Sequence, residues 1–153
     1  MNIVSFFAGA GGLDLGFQKA GFNVVWANEY DKEIWETYEK NHPHTKLDKR
    51  SIVNIPSDEV PECDGIIGGP PCQAYSIAGR AQDKNSMKDD YRNYLFESFV
   101  KVVDSFKPEV FVFENVPGIL SACPGDIPVT KRIFDAFAKI GYKVRTPENQ
   151  KDS

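Results

Sequence analysis

Short apolar runs alternate with amphipathic stretches along the chain. The apolar runs cover residues 2–7, 22–28, 64–68 and 109–113, and one more begins at 141–144. Apolar residues recur at helical spacing over 13–20, 31–41, 91–106 and 129–140. This alternation of strand and helix patterns predicts an α/β domain with a doubly wound, mostly parallel sheet.

The two strongest patterns lie close together in the chain. The run VFVF at 110–113 has no polar position, which is typical of a strand covered on both faces and hence of a parallel sheet. The longest helical pattern, 91–106, ends before Lys107 and Pro108, where the proline disfavours further helix. Asp31 is expected to cap the helix over 31–41, and Gly21 to close the helix before it.

Composition sets the class of protein. Hydrophobic residues make up 41% of the 153 residues and charged residues 26%, as in a globular domain that buries a core without disulfides. The net charge of −4 does not indicate a general attraction to nucleic acid, and a solvated loop is the ordinary explanation for Lys46, Lys49 and Arg50. No stretch approaches the roughly 18 apolar residues of a membrane span. We expect one cytoplasmic domain over 1–145 and a polar tail over 146–153.

The three cysteines are odd in number and widely spaced, so neither a metal site nor a disulfide framework is predicted. A small buried hydrophobe is the ordinary role of a cysteine, and it suits Cys63 and Cys123. Cys72 differs, because it lies in GGPPCQAYS, where two prolines restrict the backbone and Gln73 and Ser76 are polar. A thiol in this position, after a strand, is a candidate nucleophile in its thiolate form.

A glycine-rich segment, FAGAGG, follows the first strand and opens the first helix. Glycine permits positive φ and close approach of a ligand, and a helix N-terminus favours an anionic group. Asp14 breaks the pattern GxGxxG where its third glycine belongs, which argues against a nicotinamide-dependent oxidoreductase. Glu29 lies about twenty residues beyond Gly9, where an acid commonly binds ribose hydroxyls. A nucleoside-containing cofactor is therefore predicted, with Tyr30 either on its adenine face or in the core.

Glu114 directly follows the VFVF run in the sequence FENV. A residue at the end of a parallel strand lies at the carboxyl edge of the sheet, which is also the predicted position of Cys72. A carboxyl group there is a candidate proton donor, and a helix-capping acid is the alternative.

The motifs FAGAGG, GGPPCQAYS and FENV, in this order, resemble the N-terminal half of the C5-cytosine DNA methyltransferase family, especially bacterial restriction-modification enzymes. ANEYDK and DDYRNYLF are similar to segments of the same family, so the resemblance extends over residues 2–145. It implies the Rossmann-like fold of an S-adenosylmethionine-dependent methyltransferase. It also implies transfer of a methyl group to C5 of a cytosine flipped out of double-stranded DNA.

The resemblance implies a covalent mechanism in which Cys72 attacks C6 of the cytosine and Glu114 holds and protonates N3. The residues that it implies for cofactor binding are Phe7, Ala8, Gly9, Gly11, Leu13, Glu29, Tyr30, Ser51, Ile52, Pro70 and Leu95. Those implied for the substrate or DNA are Gln73, Ser76, Arg92 and Asn115. It implies no metal.

The chain departs from the family in two respects. Ser51 stands where the family usually has an aspartate for the adenine amino group, so it offers a hydrogen bond without a charge. The family's later motifs and its target-recognition domain have no counterpart before Ser153. We therefore expect a partial catalytic domain with little activity unless a C-terminal polypeptide complements it, and self-association or a partner over exposed apolar surface. A non-catalytic cofactor-binding fragment or subunit is the alternative.

Overall fold

A computed structural model describes residues 1–71, 91–121 and 127–147, with the backbone alone at 91–94. The chain divides into two compact units, of which the first comprises 1–71 and 91–115. The described residues of the second are 116–121 and 127–147. Cys72, Gln73, Ser76 and Cys123 lie outside the described residues, as does most of the predicted tail.

The described part of the first unit is a parallel sheet with helices. Its strands are β1 (Asn2–Phe6), β2 (Asn23–Asn28), β3 (Lys46–Asp48), β4 (Gly65–Gly68) and β5 (Val110–Phe113). Its helices are α1 (Gly12–Lys19), α2 (Lys32–Asn41) and α3 (Tyr91–Phe106), with short 3-10 turns at Ile52–Asn54 and Ser57–Glu59. The strand order is β3-β2-β1-β4-β5 and every pairing is parallel, which confirms the predicted α/β class.

Helices cover both faces of this sheet. Ile3 of β1 belongs to a buried cluster that includes Leu13 and Phe17 of α1. Phe6 points to the opposite face, because side chains alternate along a strand, and its ring lies 6.4 Å from that of Phe99 on α3. The doubly wound arrangement predicted from the strand–helix alternation is therefore confirmed.

The helix ends follow the local signals in the sequence. The side chain of Asp31 accepts a 3.0 Å hydrogen bond from the N–H of Glu33 and so caps α2. Gly21, just past α1, has φ 93, a conformation that favours glycine. Lys107 follows α3 with φ 44 ahead of Pro108. These ends lie within one residue of their predicted positions.

Two strand predictions are wrong. β5 is an edge strand that pairs with β4 alone among the described strands. Val110 is 43% exposed, and residues 111–113 are half-buried, so β5 is not covered on both faces. The predicted strand at 141–144 does not form. An apolar run indicates that a segment tends to be buried. A strand also needs a neighbouring strand for its hydrogen bonds, and the periodicity of the sequence does not identify that neighbour.

The described part of the second unit contains a 3-10 turn, Pro117–Leu120, and helix α4, Val129–Lys139. Val129, Ile133 and Phe137 recur every four residues and form the buried face of α4. The helix predicted over 129–140 is confirmed. Among the described helices of both units, none is long and apolar enough to cross a membrane.

Candidate active site

The register of the sheet brings predicted site residues to one edge. Phe6 pairs with Asn28 of β2 and with Gly68 of β4, and Gly68 pairs with Phe113 of β5. The residues that follow these four in the chain are Phe7, Glu29, Gly69 and Glu114. They lie at the carboxyl ends of parallel strands, around the point between β1 and β4 where the strand order reverses, which is where open α/β sheets bind ligands.

The glycine loop between β1 and α1 has an unusual backbone. Phe7 has φ 52, Gly9 has φ 58 and Gly11 has φ 87. Such values are strained for a residue with a side chain, at a cost of about 1–3 kcal/mol that surrounding contacts must offset. The N–H of Ala8 donates to Asn28 O at 3.1 Å, and that of Gly11 donates to Ala8 O at 3.0 Å. The predicted need for positive φ is confirmed at both glycines.

A cavity of about 400 Å³ opens at this edge of the sheet. Its lining residues are Ser5, Phe6, Phe7, Ala8, Gly9, Leu13, Asp14, Gly68, Gly69 and Glu114. The volume lies within the range of about 300–1,000 Å³ that is usual for small-molecule sites. The glycine loop and the acid after β5, which are far apart in the sequence, therefore share one cavity.

Backbone contacts hold Glu114 at the cavity. Its N–H donates to Gly68 O at 2.8 Å, which extends the β4–β5 ladder by one residue. A Cβ on Gly69 would lie 2.7 Å from Glu114 Oε2, so the carboxylate uses space that a side chain at 69 would fill. Asn115 Nδ2 donates to Pro70 O at 3.0 Å and ties the two loops together. The described loop ends at Pro71, one residue before Cys72.

Glu29 lies against the glycine loop. Its Oε2 accepts a 2.8 Å hydrogen bond from the N–H of Gly9, and its Oε1 accepts a 3.0 Å bond from the N–H of Asp31. A carboxylate has about four acceptor positions, so two of them are available to other groups. The neighbouring Tyr30 is 66% exposed, which rules out the core position considered for it.

The segment after β3 is fixed by a buried amide. Asn28 Nδ2 donates to Asp48 O at 3.0 Å and to Arg50 O at 2.7 Å, directly before Ser51. Ser51 is buried. Ile52 is 5% exposed and belongs to the core, where its turn packs against α3. Ser51 and Ile52, the two positions predicted to meet the adenine, are therefore both buried.

Pro70, Leu95 and Arg92 are the remaining predicted site residues in the described part of the chain. Pro70 is buried, and Leu95 is half-buried on α3. Arg92 lies in the first turn of α3, and its side chain is outside the described residues. The predicted roles of these residues stay predictions.

A buried polar network below the glycine loop was missed from the sequence. Asp14 is fully buried and accepts hydrogen bonds from Ser5 Oγ at 2.7 Å and from Tyr38 Oη at 2.5 Å. Burial raises the pKa of Asp14, although both donors oppose the shift. The pKa of Tyr38 is also raised, by burial and by the adjacent Asp14. His42 Nε2 lies 3.0 Å from Gly11 O. The available signal was a charged residue on the inward side of α1, which was interpreted only as a break in a glycine pattern.

The chain is similar to known proteins over most of its length. The family model for C-5 cytosine-specific DNA methylase matches residues 1–147. Type II methyltransferase M.FnuDI of Fusobacterium nucleatum is 49% identical over 144 residues, which are 94% of this chain and 40% of that protein. M.MthTI of Methanothermobacter thermautotrophicus is 47% identical over 144 residues, 94% of this chain and 42% of that protein. The chain spans about 40% of the length of the curated relatives it matches.

Solved structures share the fold. A prophage-encoded Escherichia coli protein, assigned as a DNA modification methyltransferase, has 30% identity and a TM-score of 0.71, covering 91% of this chain and 38% of that one. A mutant of Spodoptera frugiperda DNMT2 has 23% identity and a TM-score of 0.67, covering 91% of this chain and 41% of that one. The second likeness concerns the fold alone.

Proposed function

The chain belongs to the C-5 cytosine-specific DNA methylase family, and on that basis we propose that it forms the cofactor-binding and catalytic part of a DNA (cytosine-5)-methyltransferase. Its reaction moves a methyl group from S-adenosylmethionine to C5 of a cytosine flipped out of double-stranded DNA. One observation carries the proposal. The glycine loop and Glu114 line the same cavity at the carboxyl edge of the sheet.

The residues around the cavity suit a nucleoside with a charged amino-acid tail. The N-terminus of α1 favours the tail carboxylate, because main-chain N–H groups carry partial positive charge there. Glu29 has acceptor positions for ribose hydroxyls, and the exposed ring of Tyr30 offers a face for adenine. Ser51, Pro70 and Leu95 complete the proposed set. When bound, S-adenosylmethionine supplies an electrophilic methyl group.

The proposed chemistry of the cytosine divides between two side chains. The thiolate of Cys72 forms a bond to C6 while the carboxyl group of Glu114 donates a proton to N3, so that the electron pair reaches C5 and no negative charge stays on the ring. After C5 is methylated, a base removes the C5 proton, the S–C6 bond breaks and Glu114 takes back the N3 proton. The thiolate and the acid are thereby regenerated.

A free thiol at Cys72 is essential to this scheme, so a reducing, cytoplasmic setting is part of the proposal. The similarity to Type II methyltransferases supports a proposed role in a restriction-modification system. Since the chain spans about 40% of those relatives, we also propose that methyl transfer requires a polypeptide supplying the remaining portion. Its net charge of −4 favours weak DNA binding by the chain alone.

Covalent trapping on DNA that contains 5-fluorocytosine tests the proposal. Fluorine at C5 cannot leave as a proton, so the enzyme stays bonded to C6. The chain is incubated with this DNA and S-adenosylmethionine, alone and with the C-terminal portion of M.FnuDI. We expect an adduct in the complemented sample, none with Cys72→Ser, and at least about 100-fold slower trapping with Glu114→Gln. Cys63→Ser, the matched control, should trap like the unaltered chain.

Calorimetric titration with S-adenosylmethionine separates the alternatives. Binding without any adduct in the complemented sample would favour a non-catalytic cofactor-binding subunit. Absence of both binding and adduct would show that the proposed function is wrong. An adduct that survives Cys72→Ser would reject the assignment of the nucleophile.

A further inference from the structure

The glycine loop is supported from below by the end of α2. His42 is buried, and its Nε2 lies 3.0 Å from the carbonyl oxygen of Gly11. A carbonyl can only accept, so Nε2 carries a hydrogen and donates it. A Cβ added at Gly11 would overlap this imidazole. The imidazole of His42 therefore fills the space that the missing side chain of Gly11 leaves. The absence of a Cβ at Gly11 makes the hydrogen bond from Nε2 possible.

A second contact lies one turn earlier on α2. Tyr38 Oη donates to Asp14 Oδ2 at 2.5 Å, and Ser5 Oγ donates to Asp14 Oδ1 at 2.7 Å. One carboxylate thus joins β1, α1 and α2. The Tyr38 and His42 rings are stacked with centroids 4.6 Å apart. The two supports of the loop are therefore in contact with each other.

The loop has a backbone that needs such support. Phe7 is held at φ 52, a conformation that is strained for a residue with a side chain, and Gly11 has φ 87, which glycine adopts without that cost. Ser5 and Asp14 also line the cavity, so a shift of α1 changes the shape of the ligand site itself. The free energy that orders this loop before a ligand arrives does not have to come from the ligand.

We propose that Asp14, Tyr38 and His42 are positioning residues that hold the glycine loop in its ligand-binding conformation. They act through the main chain of residues 7–11, of which Phe7, Ala8 and Gly9 line the cavity of the proposed function. The identity of the ligand rests on that proposed function. The support of the loop rests on the contacts of α2 with Asp14 and Gly11.

Conservative variants isolate each contact. Tyr38→Phe removes one hydroxyl and keeps the stacked ring. Asp14→Asn keeps the shape, but its amide nitrogen cannot accept a hydrogen bond. His42→Leu removes the donor to Gly11, whereas His42→Gln can return an N–H to about the same place. Val103→Ala, in the buried core on α3, is the control for a general loss of stability.

Two measurements are made on each variant. The first is amide hydrogen exchange of Ala8, Gly9 and Gly11, whose N–H groups are hydrogen-bonded in the structure. The second is affinity for S-adenosylmethionine by calorimetry. Asp14→Asn and His42→Leu should each speed amide exchange of the loop and weaken binding of S-adenosylmethionine by about tenfold, as expected for the loss of one hydrogen bond. Tyr38→Phe should change both quantities by about threefold. His42→Gln should recover most of the loss.

The control decides between positioning and plain destabilisation. Val103→Ala should lower the urea midpoint at least as much as His42→Leu and leave loop exchange and affinity within about twofold. Equal losses in Val103→Ala, or unchanged loop exchange in Asp14→Asn and His42→Leu, would overturn the inference. If the unaltered chain binds no S-adenosylmethionine while these variants still loosen the loop, the inference stands and the proposed function fails.

Discussion

The main-chain N–H of Gly9 donates a 2.8 Å hydrogen bond to Oε2 of Glu29. The acid that follows β2 therefore fixes the loop that follows β1. Its second oxygen accepts from the N–H of Asp31, the residue that caps α2. The position of this carboxylate is set by the protein's own backbone, which lowers the entropy lost when a ligand binds.

Replacing the Glu29 carboxylate should weaken cofactor binding, and the loss should be larger for Glu29→Ala than for Glu29→Gln. Glu29→Gln keeps one acceptor for Gly9 but loses the charge, so we expect about tenfold weaker binding of S-adenosylmethionine. Glu29→Ala also frees the loop, and about 100-fold is expected. Calorimetric titration of both variants measures the difference. Equal affinities for the two variants would show that the hydrogen bond to Gly9 contributes nothing to binding.

Gly68→Ala should destabilise the first unit. A Cβ there would lie 2.6 Å from Phe99 Cε2 and 2.8 Å from Phe6 O, and the carbonyl cannot move without disturbing the β1–β4 pairing. We expect a loss of about 2–3 kcal/mol in the free energy of urea unfolding. Gly16→Ala is the matched control, because a Cβ at this helical position meets nothing within 4 Å. It should gain about 0.5–1 kcal/mol, and similar losses in both variants would contradict the packing argument.

Asp48 and Asp14 should affect stability in opposite directions as pH changes. Hydrogen bonds from Arg50 lower the pKa of Asp48. The stability it contributes is therefore complete above its unfolded pKa of about 3.9 and is lost as pH falls through the lower folded pKa. Burial raises the pKa of Asp14, so the folded state holds that proton more tightly. Stability from this group is complete below about 3.9 and is lost as pH rises through the raised folded pKa.

Unfolding free energies of the two asparagine variants test these signs. The difference in unfolding free energy between Asp48→Asn and the unaltered chain should become smaller as pH falls from about 4 to 2.5. Asp14→Asn should remove the decline that begins above about pH 4. Urea unfolding across this range, read by tryptophan fluorescence, gives both differences. If the unfolding free energy of Asp14→Asn changes with pH in parallel with that of the unaltered chain above pH 4, the burial argument is contradicted.

Cys63 should be a slow nucleophile. It is half-buried next to Asp64, and burial with this negative charge raises its pKa to about 11. In a Cys72→Ser, Cys123→Ser background, its reaction with iodoacetamide should speed up about tenfold per pH unit from 8 to 10, because the thiolate is the reactive form. The same chain in urea should level off near pH 9. A plateau near pH 9 in the folded chain would show that the site does not disfavour the thiolate.

Much of the local structure was predictable from the sequence. Asp31 caps α2 and glycines occupy positive φ at 9, 11 and 21, because these signals act between residues a few positions apart. β3 escaped prediction because three residues show no clear periodicity. The VFVF run was assigned correctly as a strand but wrongly as one covered on both faces, since coverage depends on neighbours that lie elsewhere in the chain.

The site was predictable in part. Phe7, Ala8, Gly9, Leu13 and Glu114 were proposed together from motifs, and they line one cavity. Gly11 was placed among the ligand contacts, and a Cβ at this position would meet His42 and Tyr38 below the loop. Asp14 lies 24 residues from Tyr38 in the chain, and no local rule joins them.

The order of residues alone determined the strand and helix segments, the positions of the turns and the chemistry of the motifs, because each depends on neighbours within a few bonds or one helical turn. Tertiary structure decided which polar groups meet. The parallel register places Glu29 beside Gly9 and Glu114 beside Gly69, and the packing of α2 on α1 buries Asp14 with two hydroxyl donors. These pairings are set by the packing of segments that are distant in the chain. This packing excludes water, so a buried polar group that lacked its hydrogen bond would destabilise the fold.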